Sequence, residues 1–224
     1  MNCRRAILSR PGAPRRHRAL AEITEIENLD RIADGLAQQG WMVIDDFFGP
    51  ELTSALRHEC RTLNTRGDFH DAAIGGGERR HIRSDIRGDK ILWMQHPGSS
   101  EAQRDCLDRF EQLRLALNRT LQLGLFDFES HFARYPEGAF YARHVDQLRG
   151  DHHRKLSCVL YLNENWSPDA GGELRLYLND GGPEFEDVLP RGGRLVVFLS
   201  AQFAHEVLAA KRERMSIAGW FRTR

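Results

Sequence analysis

Two histidines and an aspartate in the C-terminal half of the chain have the spacing of metal ligands. His144 and Asp146 stand two residues apart in a segment predicted to be extended, so their side chains should point to the same side. A second histidine, His205, follows the apolar run Leu195–Leu199, and a sheet that folds back on itself would bring it to the first pair. Two imidazoles and one carboxylate on one face of an octahedron hold Fe(II) for reactions with O₂. The spacing therefore predicts a metal site with these three ligands.

An arginine and a tyrosine predict where an anionic co-substrate would bind. Arg214 lies nine positions after His205 in the last strand-like segment, and Tyr161 is central in another. With a period of two, the side chains of Arg214, Ser216, Ala218 and Trp220 should face one way. A permanently charged guanidinium inside a β-sandwich is costly unless an anion meets it, and its fork suits a carboxylate. A dicarboxylic co-substrate such as 2-oxoglutarate would give one carboxylate to Arg214 and Tyr161, and its keto-acid end to the metal.

The elements that must position these residues change character along the chain. Three amphipathic helices are predicted first: one that ends before Gly40, one that begins at Pro50, and one through residues 102–121. Two short strands are predicted between them, at 41–44 and 91–94. From Phe126 onward the apolar period is two, and glycine-rich turns separate eight short strands. These strands are predicted at 126–134, 139–146, 155–163, 173–178, 184–189, 194–199, 204–208 and 214–222. The predicted fold is mainly β with flanking helices, a sandwich or jelly roll preceded by about three packing helices.

Composition excludes several classes of protein. The chain has 224 residues with 32 basic and 32 acidic side chains, so no overall charge favours nucleic acid or a membrane surface. No run approaches the roughly 18 apolar residues that a membrane-spanning helix needs. The four cysteines, Cys3, Cys60, Cys106 and Cys158, are scattered without a C-x-x-C pair, which indicates reduced thiols and a cytoplasmic protein.

The N-terminus differs from the rest of the chain. Six arginines precede the first acidic residue, Glu22. We expect residues 1–20 to be a basic, disordered leader, with a weak nucleic-acid tether as the alternative. Residues 21–224 would then form one domain, with helical support over 21–122 and a jelly-roll core over 123–224.

Taken together, the motifs resemble those of the Fe(II)/2-oxoglutarate dioxygenases, and among them the prolyl hydroxylases of the hypoxia-sensing type with their bacterial relatives. The resemblance extends over residues 29–222. It rests on His144-Val145-Asp146, Tyr161-Leu162-Asn163, Gly171-Gly172-x-Leu174, His205-Glu206-Val207, Arg214 and Trp220. The most specific match is the string Asp85-Ile86-Arg87-Gly88-Asp89-Lys90-Ile91-x-Trp93, which general members of the superfamily lack.

The resemblance implies a double-stranded β-helix, the cofactors Fe(II), 2-oxoglutarate and O₂, and support of activity by ascorbate. It implies hydroxylation of a prolyl residue in a protein substrate, with succinate and CO₂ as co-products. A translation elongation factor is the candidate substrate, and the enzyme would be a monomer with a possible role in oxygen sensing. Tyr135 would join Arg214 and Tyr161 at the co-substrate. The residues on the substrate side would be Arg87, Asp89, Trp93, Arg154 and Trp220, and the loop before Asp85 would close over the substrate.

The chain also departs from that family. His131 replaces an apolar residue at the pocket margin, and Ala218 replaces a hydroxyl residue near the co-substrate. His152 and His153 are alternative metal ligands, although their place in a turn favours solvated side chains. Three other functions stay open: a nucleic-acid demethylase of the same superfamily, an oxygenase of a small molecule, and a non-catalytic cupin-like module that binds a metal.

Overall fold

The computed structural model describes residues 15–73, 81–147, 152–179 and 182–224, with the backbone alone for 15–26. The helices are α1 (Arg15–Gln38), α2 (Pro50–Thr65) and α3 (Glu101–Leu121). The strands are β1 (Trp41–Ile44), β2 (His70–Asp71), β3 (Lys90–Trp93), β4 (Asp127–Tyr135), β5 (Tyr141–His144), β6 (Arg154–Tyr161), β7 (Leu174–Tyr177), β8 (Phe185–Val188), β9 (Leu195–Leu199), β10 (His205–Val207) and β11 (Arg214–Arg222).

The strands form two antiparallel sheets. The larger sheet has the order β1-β9-β6-β11-β4-β3-β2, and the smaller has the order β5-β10-β7-β8. The eight strands predicted from Phe126 onward are all present, to within two residues at each end. The prediction of a mainly β fold with three helices is confirmed.

Side chains alternate between the two faces of the larger sheet, as the period of two requires. On β9, Leu195 and Val197 pack in the core shared with the helices, whereas Val196 and Phe198 pack between the sheets. The helices cover one outer face with the buried side chains Ile32, Ala33, Leu36, Leu56, Cys60, Cys106, Phe110, Leu113 and Leu117. The other face of the larger sheet is left to line a cavity against the smaller sheet.

Several helix boundaries follow local chemistry. Gly40 adopts φ +83° after the end of α1, a conformation that glycine takes without strain. Pro50 is the first residue of α2, as its fixed φ and missing N–H favour. The Ser100 hydroxyl accepts a hydrogen bond of 3.0 Å from the Gln103 N–H at the start of α3. These boundaries agree with the predicted ones.

The structure differs from the sequence analysis at two places before β4. Helix α1 begins at Arg15, so its first turns fall within the predicted leader, while residues 1–14 lie outside the described part. Strands β1 and β3 agree with the strands predicted at 41–44 and 91–94, but β2 was not predicted, because two polar residues on a sheet edge carry no periodic signal. Gly75-Gly76-Gly77, in the middle of the predicted closing loop, lies outside the described residues.

Two further predictions can be compared with the structure. Among the described residues, Cys60, Cys106 and Cys158 are free and buried, and burial raises the pKa of the Cys60 thiol to about 12. Such thiols are unreactive. No helix within the described ranges is long and apolar enough to cross a bilayer.

Candidate active site

His144, Asp146 and His205 meet between the two sheets. One ligand atom from each lies within 4.8 Å of the others, and β5 pairs with β10 so that His144 stands opposite His205. Asp146 lies 3.5 Å from Nε2 of His144 and 3.6 Å from Nε2 of His205. Within the described ranges this is the one cluster of three or more such residues with metal-binding geometry.

Both imidazoles are oriented by a backbone carbonyl. Nδ1 of His144 is 2.9 Å from the Ala142 carbonyl oxygen, and Nδ1 of His205 is 3.1 Å from that of Phe203. A carbonyl only accepts, so Nδ1 carries the proton and Nε2 keeps its lone pair. Both Nε2 atoms face Asp146, which is the arrangement that metal-ligating histidines adopt. The residues therefore fit a divalent metal.

Asp146 is placed differently from the prediction. Strand β5 ends at His144, so a shared strand face is not what positions the carboxylate. Instead, the Ser157 hydroxyl on β6 donates a hydrogen bond of 2.6 Å to Oδ2 of Asp146. Burial alone would raise the pKa of Asp146, but the two imidazoles and the Ser157 hydroxyl hold that pKa far below its ordinary value. The carboxyl group is thus ionised, as a metal ligand must be.

Arg214 lies at the closed end of the cavity with 1% of its surface exposed. Its Nε donates to the Gly172 carbonyl oxygen at 3.0 Å, and its guanidinium carbon stands 4.9 Å from the Tyr135 ring and 5.0 Å from the Tyr161 ring. No acidic side chain of the described residues pairs with it. A buried cation without a counter-ion is costly, so this end of the cavity fits an anionic ligand.

The Tyr161 hydroxyl is a second unmet group at that end. It is buried and has no hydrogen-bond partner within the part of the chain that the structure describes. Burial raises the pKa of the phenol, against the influence of Arg214, so the hydroxyl is protonated and can donate. Arg214 and Tyr161 together offer the donors that a carboxylate accepts.

Gly172 allows the close approach that orients Arg214. It adopts φ +76°, and a Cβ atom there would stand 2.8 Å from the Ala210 Cβ and 3.5 Å from the Arg214 Cδ. Its carbonyl accepts from Nε of Arg214, and Nη1 of the guanidinium donates to the hydroxyl of Ser216, which also lines the cavity, at 3.4 Å. The match of Gly171-Gly172 to the family motif thus has a physical reason.

The cavity has a volume of about 710 Å³, with Arg214 at its buried end and the more exposed Trp93 at its mouth. It is lined on one side by alternate residues of β11, as predicted. These residues are Arg214, Ser216, Ala218 and Trp220. The volume suits a small co-substrate together with one side chain of a larger partner.

Aromatic side chains line the cavity towards its mouth. Trp93 is 38% exposed, and its ring lies 4.9 Å from the ring of His131. The His131 ring lies 5.4 Å from that of Trp220, and the Arg154 guanidinium stacks on Trp220 at 3.6 Å. Arg154 also pairs with Glu129 at 2.9 Å. Trp93, Arg154 and Trp220, predicted on the substrate side, thus lie together at one end of the cavity.

His131 and Trp220 present unmet hydrogen-bonding groups. Both ring nitrogens of His131 and Nε1 of Trp220 are buried without a partner among the described residues. Burial, together with the nearby charges of Arg87 and Arg154, lowers the pKa of His131 to about 3. The imidazole is therefore neutral, with one donor and one acceptor available. Ala218 stands beside His131 in the register of β4 and β11 and supplies no polar group.

Arg87 and Asp89, also predicted on the substrate side, pair with each other. Two hydrogen bonds of 2.6 and 2.9 Å join the guanidinium to the carboxylate, and Arg87 also stacks on the Tyr141 ring at 4.5 Å. Tyr141 in turn stacks on His144 at 3.6 Å. This pair lines the cavity and supports the ring of a triad histidine.

The alternative ligands do not join the triad. His152 is exposed and lies near the Gln147 side chain, and Nδ1 of His153 is 3.2 Å from the Thr223 carbonyl oxygen. Sequence reasoning missed Ser157, Ser200 and Glu129, because a serine or glutamate in a strand carries no distinctive pattern. Their roles emerge only from contacts between strands that are far apart in sequence.

Comparison with known proteins places the chain among oxygenases. A profile of the 2OG-Fe(II) oxygenase superfamily matches residues 130–222. The solved structure of a Pseudomonas putida prolyl-4-hydroxylase is similar at 48% identity and a TM-score of 0.79, covering 88% of this chain and 99% of that chain. A prolyl hydroxylase from Trichoplax adhaerens, solved with a hypoxia inducible factor oxygen degradation domain peptide fragment, has 26% identity and a TM-score of 0.79, covering 91% of this chain and 92% of that chain.

Curated proteins give the same result. Human Egl nine homolog 1 is 31% identical over 201 residues, covering 86% of this chain and 46% of the human protein. The rat protein of the same name is 30% identical over 207 residues, covering 86% of this chain and 58% of the rat protein. The chain spans about half the length of the curated relatives it matches. The fold of the solved relatives, their high coverage and the triad geometry lead to one conclusion: the chain belongs to the 2OG-Fe(II) oxygenase superfamily, whose cofactors are Fe(II) and 2-oxoglutarate.

Proposed function

We propose that the protein is a prolyl hydroxylase that oxidises a proline in a protein substrate and releases succinate and CO₂. The single observation that carries the proposal is that one cavity contains both a set of metal ligands and a buried cation that favours an anion. A ligand set for Fe(II) stands between the sheets, and a buried guanidinium without an acidic partner among the described residues stands beyond it. The similarity to two prolyl hydroxylases of known structure supports the choice of substrate residue.

Arg214 and Tyr161 are proposed to bind the distal carboxylate of 2-oxoglutarate. The guanidinium supplies the charge and the phenol a second donor, while the Tyr135 ring closes the other side. The keto-acid end of the co-substrate then points towards His144, Asp146 and His205. Fe(II), when held by these three ligands, supplies the redox chemistry by which one oxygen atom of O₂ enters succinate and the other enters the substrate.

The aromatic end of the cavity is proposed to hold the target residue. The rings of Trp93 and Trp220 offer apolar faces to a pyrrolidine ring, and Arg154 and Glu129 offer polar groups to the chain on either side. The Arg87–Asp89 pair, which is largely buried, keeps the adjacent wall in place. A closed, mostly apolar wall also limits the access of water to the reacting atoms.

The substrate proposed first is a translation elongation factor, and the protein is proposed to act as a cytoplasmic monomer, with ascorbate keeping the iron reduced. Free, buried thiols are consistent with a reducing compartment. A role in oxygen sensing would further require that turnover follow O₂ concentration over the cellular range.

One experiment tests the proposal in two stages. Purified protein with Fe(II), 2-oxoglutarate and ascorbate is assayed for succinate, alone and with lysate proteins or purified elongation factor. Mass spectrometry then searches for prolines that have gained the mass of one oxygen atom. We expect a marked proline that is absent with Asp146→Ala. Succinate without a marked proline would contradict the substrate, and no succinate under any condition would contradict the enzyme.

A further inference from the structure

Strand β5 does not explain how the side chain of Asp146 is positioned. Strand β5 ends at His144, and Asp146 follows in irregular structure next to residues 148–151, which lie outside the described part. An unsupported carboxylate after a strand end could rotate about its side-chain bonds. Metal sites need their ligands held in position by outer partners.

Two serines of the larger sheet provide such partners. Ser157 on β6 donates to Oδ2 of Asp146 at 2.6 Å, and the hydroxyl oxygens of Ser157 and Ser200 are 2.9 Å apart. A carboxylate only accepts hydrogen bonds, so the Ser157 hydroxyl donates its one proton to Asp146. Ser200 must then donate to Ser157, which fixes the direction of both hydrogen bonds.

The two hydroxyls are buried at the centre of the larger sheet. Ser157 has 1% and Ser200 0% of its surface exposed. Ser157 lies on a central strand, in register with Phe198 on one side and Trp220 on the other. Ser200 directly follows β9, and its N–H donates to the Lys155 carbonyl oxygen at 3.1 Å. Burial and the backbone hydrogen bonds therefore fix where the two hydroxyls stand.

We propose that Ser200 and Ser157 form a two-hydroxyl relay that positions the Asp146 carboxylate for metal binding. Both are positioning residues, because neither is one of the three ligands. The inference rests on the metal site of the proposed function but requires no protein substrate.

The consequence of the relay is a fixed orientation of the carboxylate. Its Oδ1 faces Nε2 of His144 and its Oδ2 faces Nε2 of His205, and the hydrogen bond from Ser157 holds that orientation. Three protein ligands would leave positions open for the co-substrate and O₂.

The test compares four variants in the full chain. Ser157→Ala removes the contact to Asp146, and Ser157→Thr retains a hydroxyl at the same place. Ser200→Ala removes only the second donor. The matched control is Ser130→Ala, another buried serine, whose hydroxyl contacts the Met94 sulfur at 3.6 Å. Each is titrated without O₂ with Mn(II), then with 2-oxoglutarate at saturating Mn(II), and the Co(II) form is examined by its absorption spectrum.

We expect Ser157→Ala to bind Mn(II) about 10- to 100-fold more weakly, the range found for loss of an outer partner. Its Co(II) bands should change in intensity, because the Asp146 carboxylate is no longer held in one orientation. Ser200→Ala should lose about 3- to 10-fold, the effect of one neutral hydrogen bond. Ser157→Thr should bind like the wild type, and Ser130→Ala should do the same.

Several outcomes would overturn the proposal. Wild-type Mn(II) affinity and Co(II) spectrum in folded Ser157→Ala would exclude the positioning role. If Ser157→Ala does not fold, Ser200→Ala and Ser157→Thr decide: wild-type affinity in the former, or lost affinity in the latter despite a native melting temperature, would exclude the relay. Because only metal and co-substrate are measured, failure to find a hydroxylated proline would leave this result intact.

Discussion

Strands β4 and β11 line both the closed end and the mouth of the cavity, but the arginines at the two ends differ in their pairing with acidic side chains. At the closed end, Arg214 is buried without an acidic partner among the described residues. Towards the mouth, Arg154 pairs with Glu129 at 2.9 Å, and Arg222 pairs with Glu129 at 3.0 Å and with Asp127 at 2.6 Å. Arg154 and Arg222 at the mouth pair with acidic side chains of the same chain, whereas Arg214 at the closed end favours an anionic ligand.

This difference teaches where selectivity for charge should lie. An unpaired, desolvated guanidinium favours an anion strongly, while a paired and partly solvated arginine contributes little. The mouth should therefore select by shape and by uncharged hydrogen bonds, through Trp93, His131 and Trp220. Substitutions can therefore test the metal site, the closed end and the mouth separately.

The largest effect is expected for Asp146→Ala, which removes the charged ligand between the two ends. Metal binding should weaken by more than the roughly 100-fold typical of outer partners, and succinate formation should fall below detection. Mn(II) titration and the succinate assay measure this. The control is Asp187→Ala, which removes a carboxylate on the smaller sheet that pairs with Arg175 at 2.8 Å. Near-wild-type succinate formation by Asp146→Ala would show the triad to be assigned wrongly.

Arg214→Lys keeps the charge at the closed end but loses the fork. Loss of one charge-assisted hydrogen bond costs about 1.5–3 kcal/mol, so affinity for 2-oxoglutarate should fall roughly ten- to a hundred-fold. Arg222→Lys, the same change on the same strand near the mouth, should alter that affinity less than about threefold. Calorimetric titration at saturating Mn(II) compares them. Equal losses would abolish the distinction between the two ends.

At the mouth, His131→Leu should stabilise the ligand-free protein. It replaces a buried imidazole with unmet nitrogens by an apolar side chain, and the unmet groups cost about 1–3 kcal/mol. Denaturant unfolding at pH 7 measures the free energy. His58→Leu, on the exposed side of α2, serves as the control and should change stability by less than about 0.5 kcal/mol. A loss of stability in His131→Leu would mean that the imidazole has a partner in solution.

The smallest effect concerns the pH dependence of that stability. The pKa of His131 is lowered from 6.5 to about 3, first by burial and then by Arg87 and Arg154, so below pH 6.5 the unfolded chain binds a proton that the folded chain does not. Wild-type stability from this source is complete above pH 6.5 and falls towards pH 3. His131→Leu should gain about 2 kcal/mol more over the wild type at pH 5 than at pH 6.5. Parallel stability curves would exclude a neutral, buried His131.

Most of the fold could be predicted from the sequence, because its strands are short, regularly spaced and separated by glycine-rich turns. The alternation on β11 placed Arg214 and Trp220 on one face, and both do line the cavity. Strand β2 could not be predicted, since its two exposed residues make only edge hydrogen bonds with β3. An alternating apolar pattern cannot reveal a strand of only two residues.

The candidate site shows where sequence reasoning ends. The meeting of His144, Asp146 and His205 was predicted, but the reason given for Asp146 was wrong, because the strand stops two residues earlier. What holds the carboxylate is Ser157, on a strand from the opposite sheet. Such contacts depend on how two sheets face each other. A single sequence carries no local signal that shows which residues of the two sheets will meet.

The position of Arg214 on β11 has a consequence for kinetics. Trp220 lies six positions further along the same strand, about 20 Å at the usual rise per residue. We expect a molecule bound by Arg214 to enter past the aromatic end, where a seated protein would block its way. We expect a compulsory order of arrival, with 2-oxoglutarate before the protein and succinate leaving after it. Product-inhibition patterns would reveal this order, and a random pattern would show that a second path leads to the closed end.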